Sequence, residues 1–415
     1  MYHTPVSALR KKRIRYSISL CLLVHCAQAQ SSGVARTPPM GWNAYNCFGG
    51  RISEAKIISI ADAMVKSGMK QAGYQYIILD DGWMTRKRDS LGHIIVDSSK
   101  FPHGIKAVAD YVHGLGLKFG IYSSPGRYTC MGLMGSLGHE RQDAEDYAAW
   151  GVDYLKYDWC RYPDRTTAGA AATPRDACRA AFSLMHECLE RTGRPIVYSV
   201  HDKCSNATEQ GALPWVKTIA NMQRSGRDIR NNWGLMIYCL ETTADLWPYA
   251  GPGYWNDPDM LEVGNEHHLY KNQPPMNLTE YRTHFSMWCM VASPLIAGND
   301  LRNMKPDIVK ILTNRELIAL DQDSLGKQGH RIRDDGDLEI WTKELSGNRM
   351  AVALLNKSGR PVSMKFNWDE VGISGKVLVR DLWRHKSLGI HKGSFRSKKI
   401  PSHGVEVLLL ASAQE

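Results

Sequence analysis

The residues with most chemical promise are carboxylates that close apolar runs. Asp158 ends Tyr154-Leu155-Lys156-Tyr157, Asp80 and Asp81 end Tyr76-Ile77-Ile78-Leu79, and Asp257 and Asp259 follow Trp255-Asn256. Residues two apart on a strand share a face, so Lys156 and Asp158 point the same way. An ammonium beside a carboxylate keeps it ionised, which a nucleophile needs, although Lys-Asp pairs also serve packing alone. Asp80 and Asp81 could hold a hard cation. They could equally accept hydrogen bonds from sugar hydroxyls, with Trp42 and Trp83 offering flat faces to a pyranose. With no EF-hand spacing and no His pair at helical spacing, hydroxyl recognition is the preferred reading. Asp228, in Arg224-Ser225-Gly226-Arg227-Asp228-Ile229, is either a general acid or the N-cap of a helix starting near Ile229. A cap favours the charged form, so an acid role requires a nearby like charge or burial.

The elements that must position these groups follow a rhythm. From Pro38 to about Asp323, short β-rich runs alternate with longer helix-period segments. The strand candidates are Met40 to Ala44, Tyr76 to Leu79, Lys118 to Tyr122, Tyr154 to Tyr157, Ile196 to Val200, Ile219 to Gln223, Tyr254 to Asn256 and Pro294 to Ala297. Eight such units predict an α/β fold, a (β/α)8 TIM barrel with its chemistry at the carboxyl ends of the strands. The rival, a doubly wound open sheet, lacks its Gly-rich phosphate fingerprint. After Gln328, short alternating runs separated by Gly, Asn and Asp turns predict a small antiparallel β-sandwich. The expected organisation is a leader over 1–29, a catalytic barrel over 30–325 and a sandwich over 326–415.

The leader is read from basic Arg10-Lys11-Lys12-Arg13, apolar Ile18 to Val24 and the small residues around Ala27-Gln28-Ala29. It predicts export, to the periplasm or the exterior. Its five basic residues account for half of the net charge of +10, and no dense Lys/Arg block with interleaved aromatics remains to mark a nucleic-acid partner. No apolar stretch approaches the roughly 20 residues of a membrane span. Cysteines outside the leader lack the CxxC spacing of a zinc site, and no metal or organic cofactor is expected.

The segments Pro39-Met40-Gly41-Trp42-Asn43, Leu79-Asp80-Asp81-Gly82-Trp83, Gly151 to Asp158, Trp255 to Leu261 and Gln322 to Lys327 together resemble the α-galactosidases (melibiases) of glycoside hydrolase family 27. The resemblance implies a retaining mechanism with Asp158 as nucleophile and Asp228 as acid/base, their carboxyls about 5–5.5 Å apart. It carries sugar binding over to Tyr45, Asp80, Asp81, Tyr122, Lys156, Arg224 and Met260, and implies a disulfide between Cys130 and Cys160. The implied partner is a galactosylated oligosaccharide or glycoconjugate. Two positions depart from the pattern. His201 stands where these enzymes usually place a Glu on the 2-hydroxyl, and Val200 and Ala220 stand where animal members have a disulfide. A His still binds a hydroxyl, and its bulk opposes an N-acetyl group. The alternatives are an α-N-acetylgalactosaminidase, a β-L-arabinopyranosidase or a transglycosylase on the same scaffold, a non-catalytic carbohydrate-binding protein, and a metal-dependent barrel hydrolase.

Overall fold

The computed structural model describes residues 33–160, 174–201, 214–267 and 273–413. The leader read over 1–29 lies outside them. The predicted strands form as β1 (Met40–Asn43), β2 (Tyr76–Ile78), β3 (Lys118–Ser123), β4 (Tyr154–Asp158), β5 (Val197–His201), β6 (Met222–Arg224), β7 (Trp255–Asp257) and β8 (Leu295–Ala297). They pair in parallel in the order β8-β1-β2-β3-β4-β5-β6-β7. Between β7 and β8 the ring closes through one bridge: Leu261 N–H donates to Ile296 O at 2.8 Å, and Gly298 N–H donates to Leu261 O at 2.9 Å.

Each strand splits its residues between two cores, as period-two alternation requires. Ile77, Phe119, Ile121, Leu155, Tyr157, Tyr198 and Val200 face outward into the core shared with the helices. Tyr76, Ile78, Tyr154, Val197, Met222, Trp255 and Ile296 fill the barrel interior. Gly41 pairs with Tyr76 on the neighbouring strand β2; a Cβ there would meet the Tyr76 carbonyl at 2.5 Å, so only glycine lets the two strands meet. Gly151, at φ +83°, ends helix Glu140–Trp150 in the left-handed conformation and turns the chain into β4.

The second sheet is antiparallel. Its strands are β9 (His330–Asp334), β10 (Leu338–Leu345), β11 (Arg349–Asn356), β13 (Lys376–Asp381), β14 (Lys386–Lys392) and β16 (Val405–Ser412), ordered β9-β10-β11-β16-β13-β14. A ribbon of β12 (Val362–Asn367) and β15 (Ser394–Ile400) covers one face, burying Ile340, Val352, Leu354, Leu408 and Leu410 against Phe366, Trp368 and Phe395. The alternate residues Trp341, Ala351, Ala353, Leu355 and Val407 join the barrel's own core. This face packs on helix Leu278–Met290. Arg396, Lys398 and Lys399 lie exposed on β15.

Among the described residues no helix is long and apolar enough to cross a membrane. The side-chain amide of buried Asn356 donates to the carbonyls of Arg360, Ile400 and Pro401.

One ionisable cluster sits inside the junction. Asp321 ends helix Arg315–Asp321 beside Lys343 of β10, and Lys343 Nζ donates to the Cys289 carbonyl at 3.0 Å. Burial pushes the Asp321 carboxyl up to about 8 and the Lys343 ammonium down. A carboxyl raised in the folded state stabilises the fold while protonated. That contribution is full below the unfolded value near 3.8 and is lost as pH rises through about 8. Asp321→Asn keeps an acceptor for Gln322 and never ionises. Calorimetry should therefore show a Tm gain of about 2–4 °C at pH 8.5 that shrinks steadily towards lower pH and vanishes below about 3.8.

Candidate active site

The interior rows continue upward into the barrel mouth, and there the apolar residues give way to charged ones. Tyr154, Lys156 and Asp158 share one face of β4, while Val197, Ser199 and His201 share the matching face of β5, with Asp158 paired to His201 in register. Tyr122 continues the row of β3, and Arg224 that of β6 above Met222. Tyr45, Asp80, Asp81, Tyr122, Cys130, Lys156, Asp158, Arg224, Asp228 and Met260 line one pocket, so ten of the residues singled out in the sequence come together. Cys160 is bonded to Cys130 at its edge.

Lys156 is less simply paired than the sequence implied. Its Nζ donates to Asp80 Oδ2 at 2.8 Å, across β3, and does not bond its neighbour Asp158. Burial alone would strip the ammonium of its proton. The carboxylates of Asp80, Asp158 and Asp259 outweigh that, and its pKa rises. Asp80 Oδ2 also accepts from Asn43 at 2.8 Å, and Asp80 Oδ1 from the Asp81 amide at 2.8 Å. An ammonium already neutralises Asp80, so this acidic pair is poorly suited to a hard cation and well suited to hydroxyls.

Asp158 is buried and held on both sides. Tyr122 Oη donates to its Oδ2 at 3.2 Å, and burial together with the nearby carboxylates keeps that phenol protonated. His201 Nδ1 lies 3.2 Å from Asp158 Oδ1. His201 is therefore behind the nucleophile candidate, buried, and is not among the residues lining the pocket's open space. The one candidate metal cluster among the described residues, Cys130, Asp158 and Cys160, has both sulfurs in a disulfide and offers no thiolate.

Asp228 does not cap a helix. The helix begins four residues after Ile229, at Trp233, and its cap is Asn232, whose side chain accepts from the Leu235 amide at 3.1 Å. Asp228 instead presents a side chain 62% exposed, with Oδ1 3.2 Å from Arg224 Nη2. The same Nη2 lies 2.9 Å from Asp259 Oδ2, and the carboxylates of Asp259, Asp228 and Asp257 with the Cys239 thiol raise the Arg224 pKa despite burial. Asp259 sits at φ +90°, a strained turn that also gives its Oδ2 the Ile229 amide and its Oδ1 the Met260 amide, both at 2.8 Å.

Trp42 and Trp83 are not sugar platforms. Both are fully buried core residues, their indoles donating to the Asn299 and Tyr122 carbonyls at 2.7 and 2.9 Å. Period two already placed Trp42 outward, between the interior positions Gly41 and Asn43. Three residues that line the pocket were assigned no role from sequence: Asn46, Arg230 and Asp259. Asp259 carried the signal of a carboxylate closing a strand; the other two carried none.

The family described as Alpha galactosidase A matches residues 37–323, and the family described as Alpha galactosidase C-terminal beta sandwich domain matches residues 335–410. An α-galactosidase of Cyamopsis tetragonoloba is 42% identical over 91% of this chain and 87% of its own. The crystal structure of α-galactosidase I from Mortierella vinacea superposes with a TM-score of 0.80 at 36% identity, covering 91% of this chain and 98% of that one. The Saccharomyces cerevisiae α-galactosidase solved with raffinose gives a TM-score of 0.78 at 29% identity, over 92% and 99%.

Burial, opposed by the Met131 amide at 2.9 Å and aided by Asp80, pushes Asp81 up to about 6. Above that value Asp81 is a carboxylate and accepts strongly from a hydroxyl; below it, the neutral acid accepts weakly. Galactose affinity, measured by inhibition between pH 4.5 and 7.5, should fall as pH drops through about 6. In Asp81→Asn that step should vanish, and its persistence would remove Asp81 from sugar binding.

Proposed function

The chain belongs to the α-galactosidase (melibiase) family, glycoside hydrolase family 27, and from that premise we propose how its pocket divides the work of hydrolysing terminal α-galactosides. Asp158 attacks the anomeric carbon while Asp228 gives its proton to the departing glycosidic oxygen, leaving galactose esterified to Asp158. Asp228 then takes a proton from water, which attacks the same carbon, and the α-configuration is retained. The observation that carries this reading is the asymmetry of the two carboxylates in one pocket. Asp158 is buried and gripped by Tyr122 with His201 behind it, as a fixed nucleophile should be, whereas Asp228 is exposed at the mouth, where a proton must pass to a leaving group and then from water.

Esterification removes the charge of Asp158 from the pocket just when Asp228, with Arg224 Nη2 3.2 Å from its Oδ1, must become a base. Asp80, Asp81 and Lys156 form the acceptor and donor set for the sugar's 3-, 4- and 6-hydroxyls, and Arg224 holds Asp228 and Asp259 in place. The substrates are galactosylated oligosaccharides or glycoconjugates met after export.

Asp158→Asn should abolish turnover on every α-galactoside. Asp228→Ala should cost about 10²–10⁴-fold on alkyl leaving groups and much less on activated aryl ones. Proton NMR of the wild-type reaction should show α-galactose as the first product; β-galactose would refute the double displacement.

His201 stands where the family pattern meets the 2-hydroxyl, and an imidazole beside Asp158 fills more space than the small residues that admit an acetamide. Aryl α-galactoside should outrun both the α-N-acetylgalactosaminide and the β-L-arabinopyranoside. His201→Ala should narrow the gap to the acetamido sugar, and an unchanged ratio would take His201 out of sugar selection.

A further inference from the structure

We infer that Arg230 is the leaving-group subsite of this enzyme, a specificity-determining residue that favours a hydroxyl-rich sugar over an apolar aglycone. The inference rests on the assignment of Asp228 as the acid, since the group beside the acid is the one that meets the departing oxygen's substituent.

Three cations line the pocket. Lys156 is bonded to Asp80 at 2.8 Å, and Arg224 lies 2.9 Å from Asp259 and 3.2 Å from Asp228. Arg230 is half-buried, yet among the described residues its guanidinium makes no hydrogen bond or ion pair. Five N–H donors in a flat fork, with no acceptor of their own, are thus left to face whatever enters.

The backbone holds Arg230 in that position. Ile229 is fully buried, and its amide donates to Asp259 Oδ2 at 2.8 Å. Asn231 is also fully buried, its amide reaching Tyr281 Oη at 2.7 Å and the Asn265 carbonyl, while its Oδ1 accepts from the Met276 amide at 2.8 Å. With the two alternate residues nailed inward, Asp228 and Arg230 are both delivered to the pocket. Asn46, which also lines it, turns its amide nitrogen to Glu262 and so keeps its carbonyl oxygen as the complementary acceptor. A fork of donors two residues after the acid, with an acceptor lining the same pocket, suits the vicinal hydroxyls of a second sugar.

The test compares wild type, Arg230→Ala and Arg230→Lys on raffinose, on 4-nitrophenyl α-galactoside and on α-galactosyl fluoride, whose leaving group has nothing to bind. Arg230→Ala should lose about tenfold more kcat/KM on raffinose than on the fluoride, chiefly through KM, with galactose inhibition unmoved. Arg230→Lys should recover part of the loss. Equal losses on all three substrates, or weakened galactose inhibition, would overturn the assignment, as would an undiminished raffinose rate. Asp228→Ala run in parallel separates the premise: if its loss is the same for good and poor leaving groups, it is the acid assignment that fails.

Discussion

Asp80, Asp81, Asp158, Asp228 and Asp259 share one small pocket, and like charges so placed would either protonate or push the loops apart. The fold tolerates them because two buried cations are threaded among them. Lys156 ties the end of β2 to the interior row of β4 through Asp80, and Arg224 ties β6 to the turn after β7 through Asp259. Removing either cation from such a site leaves an uncompensated buried charge, a cost of about 3–5 kcal/mol, so the pairs are as much structural as functional. The remaining carboxylates are then free to differ. Asp158 is gripped, Asp81 is poised near neutrality by burial, and Asp228 is left at the surface.

The same alternation that builds the pocket builds the junction below it. Barrel strands β2, β4 and β5 and the central strands β10, β11 and β16 of the second sheet bury apolar residues on both faces, whereas β14 turns most of its residues to water. Polar contacts fix the docking more than they drive it: Arg380 forks onto Glu316 with both contacts at 2.7 Å, and Trp383 Nε1 reaches Ser286 at 2.9 Å. The Asp321 and Lys343 pair is the exception, two ionisable groups in a seam where burial disfavours both charges.

Most of the architecture was legible because a buried parallel strand is a short apolar run, and a barrel puts its reactive groups where those runs end. The sixth strand was read three residues early, because Val216–Thr218 forms a 3-10 turn before it. The hairpin Met84–Arg88 and Ile94–Val96 after β2 was missed, since Thr-Arg-Lys-Arg carries no apolar face. What a sequence cannot display is partnership across the barrel. Lys156 was read with its chain neighbour Asp158, although Asp80, 76 positions away, holds it. Asp228 looked like a cap because Ile229 looked like a helix start; its burial and that of Asn231 delay the helix to Trp233. The disulfide and the catalytic roles came from family likeness, and spacing alone would have given neither.

The single bridge at Leu261 has a dynamic meaning. Between β7 and β8 the chain turns inward to deliver Asp259 and Met260 to the pocket, and rejoins the ring only at Leu261. The wall is stitched most densely from β3 through β5, on the side of Asp158, and most thinly along this seam beside Arg224 and Asp228. Fewer backbone bonds mean easier local opening, so in the proposed mechanism the wall beside the acid Asp228 yields more readily than the wall beside the nucleophile Asp158.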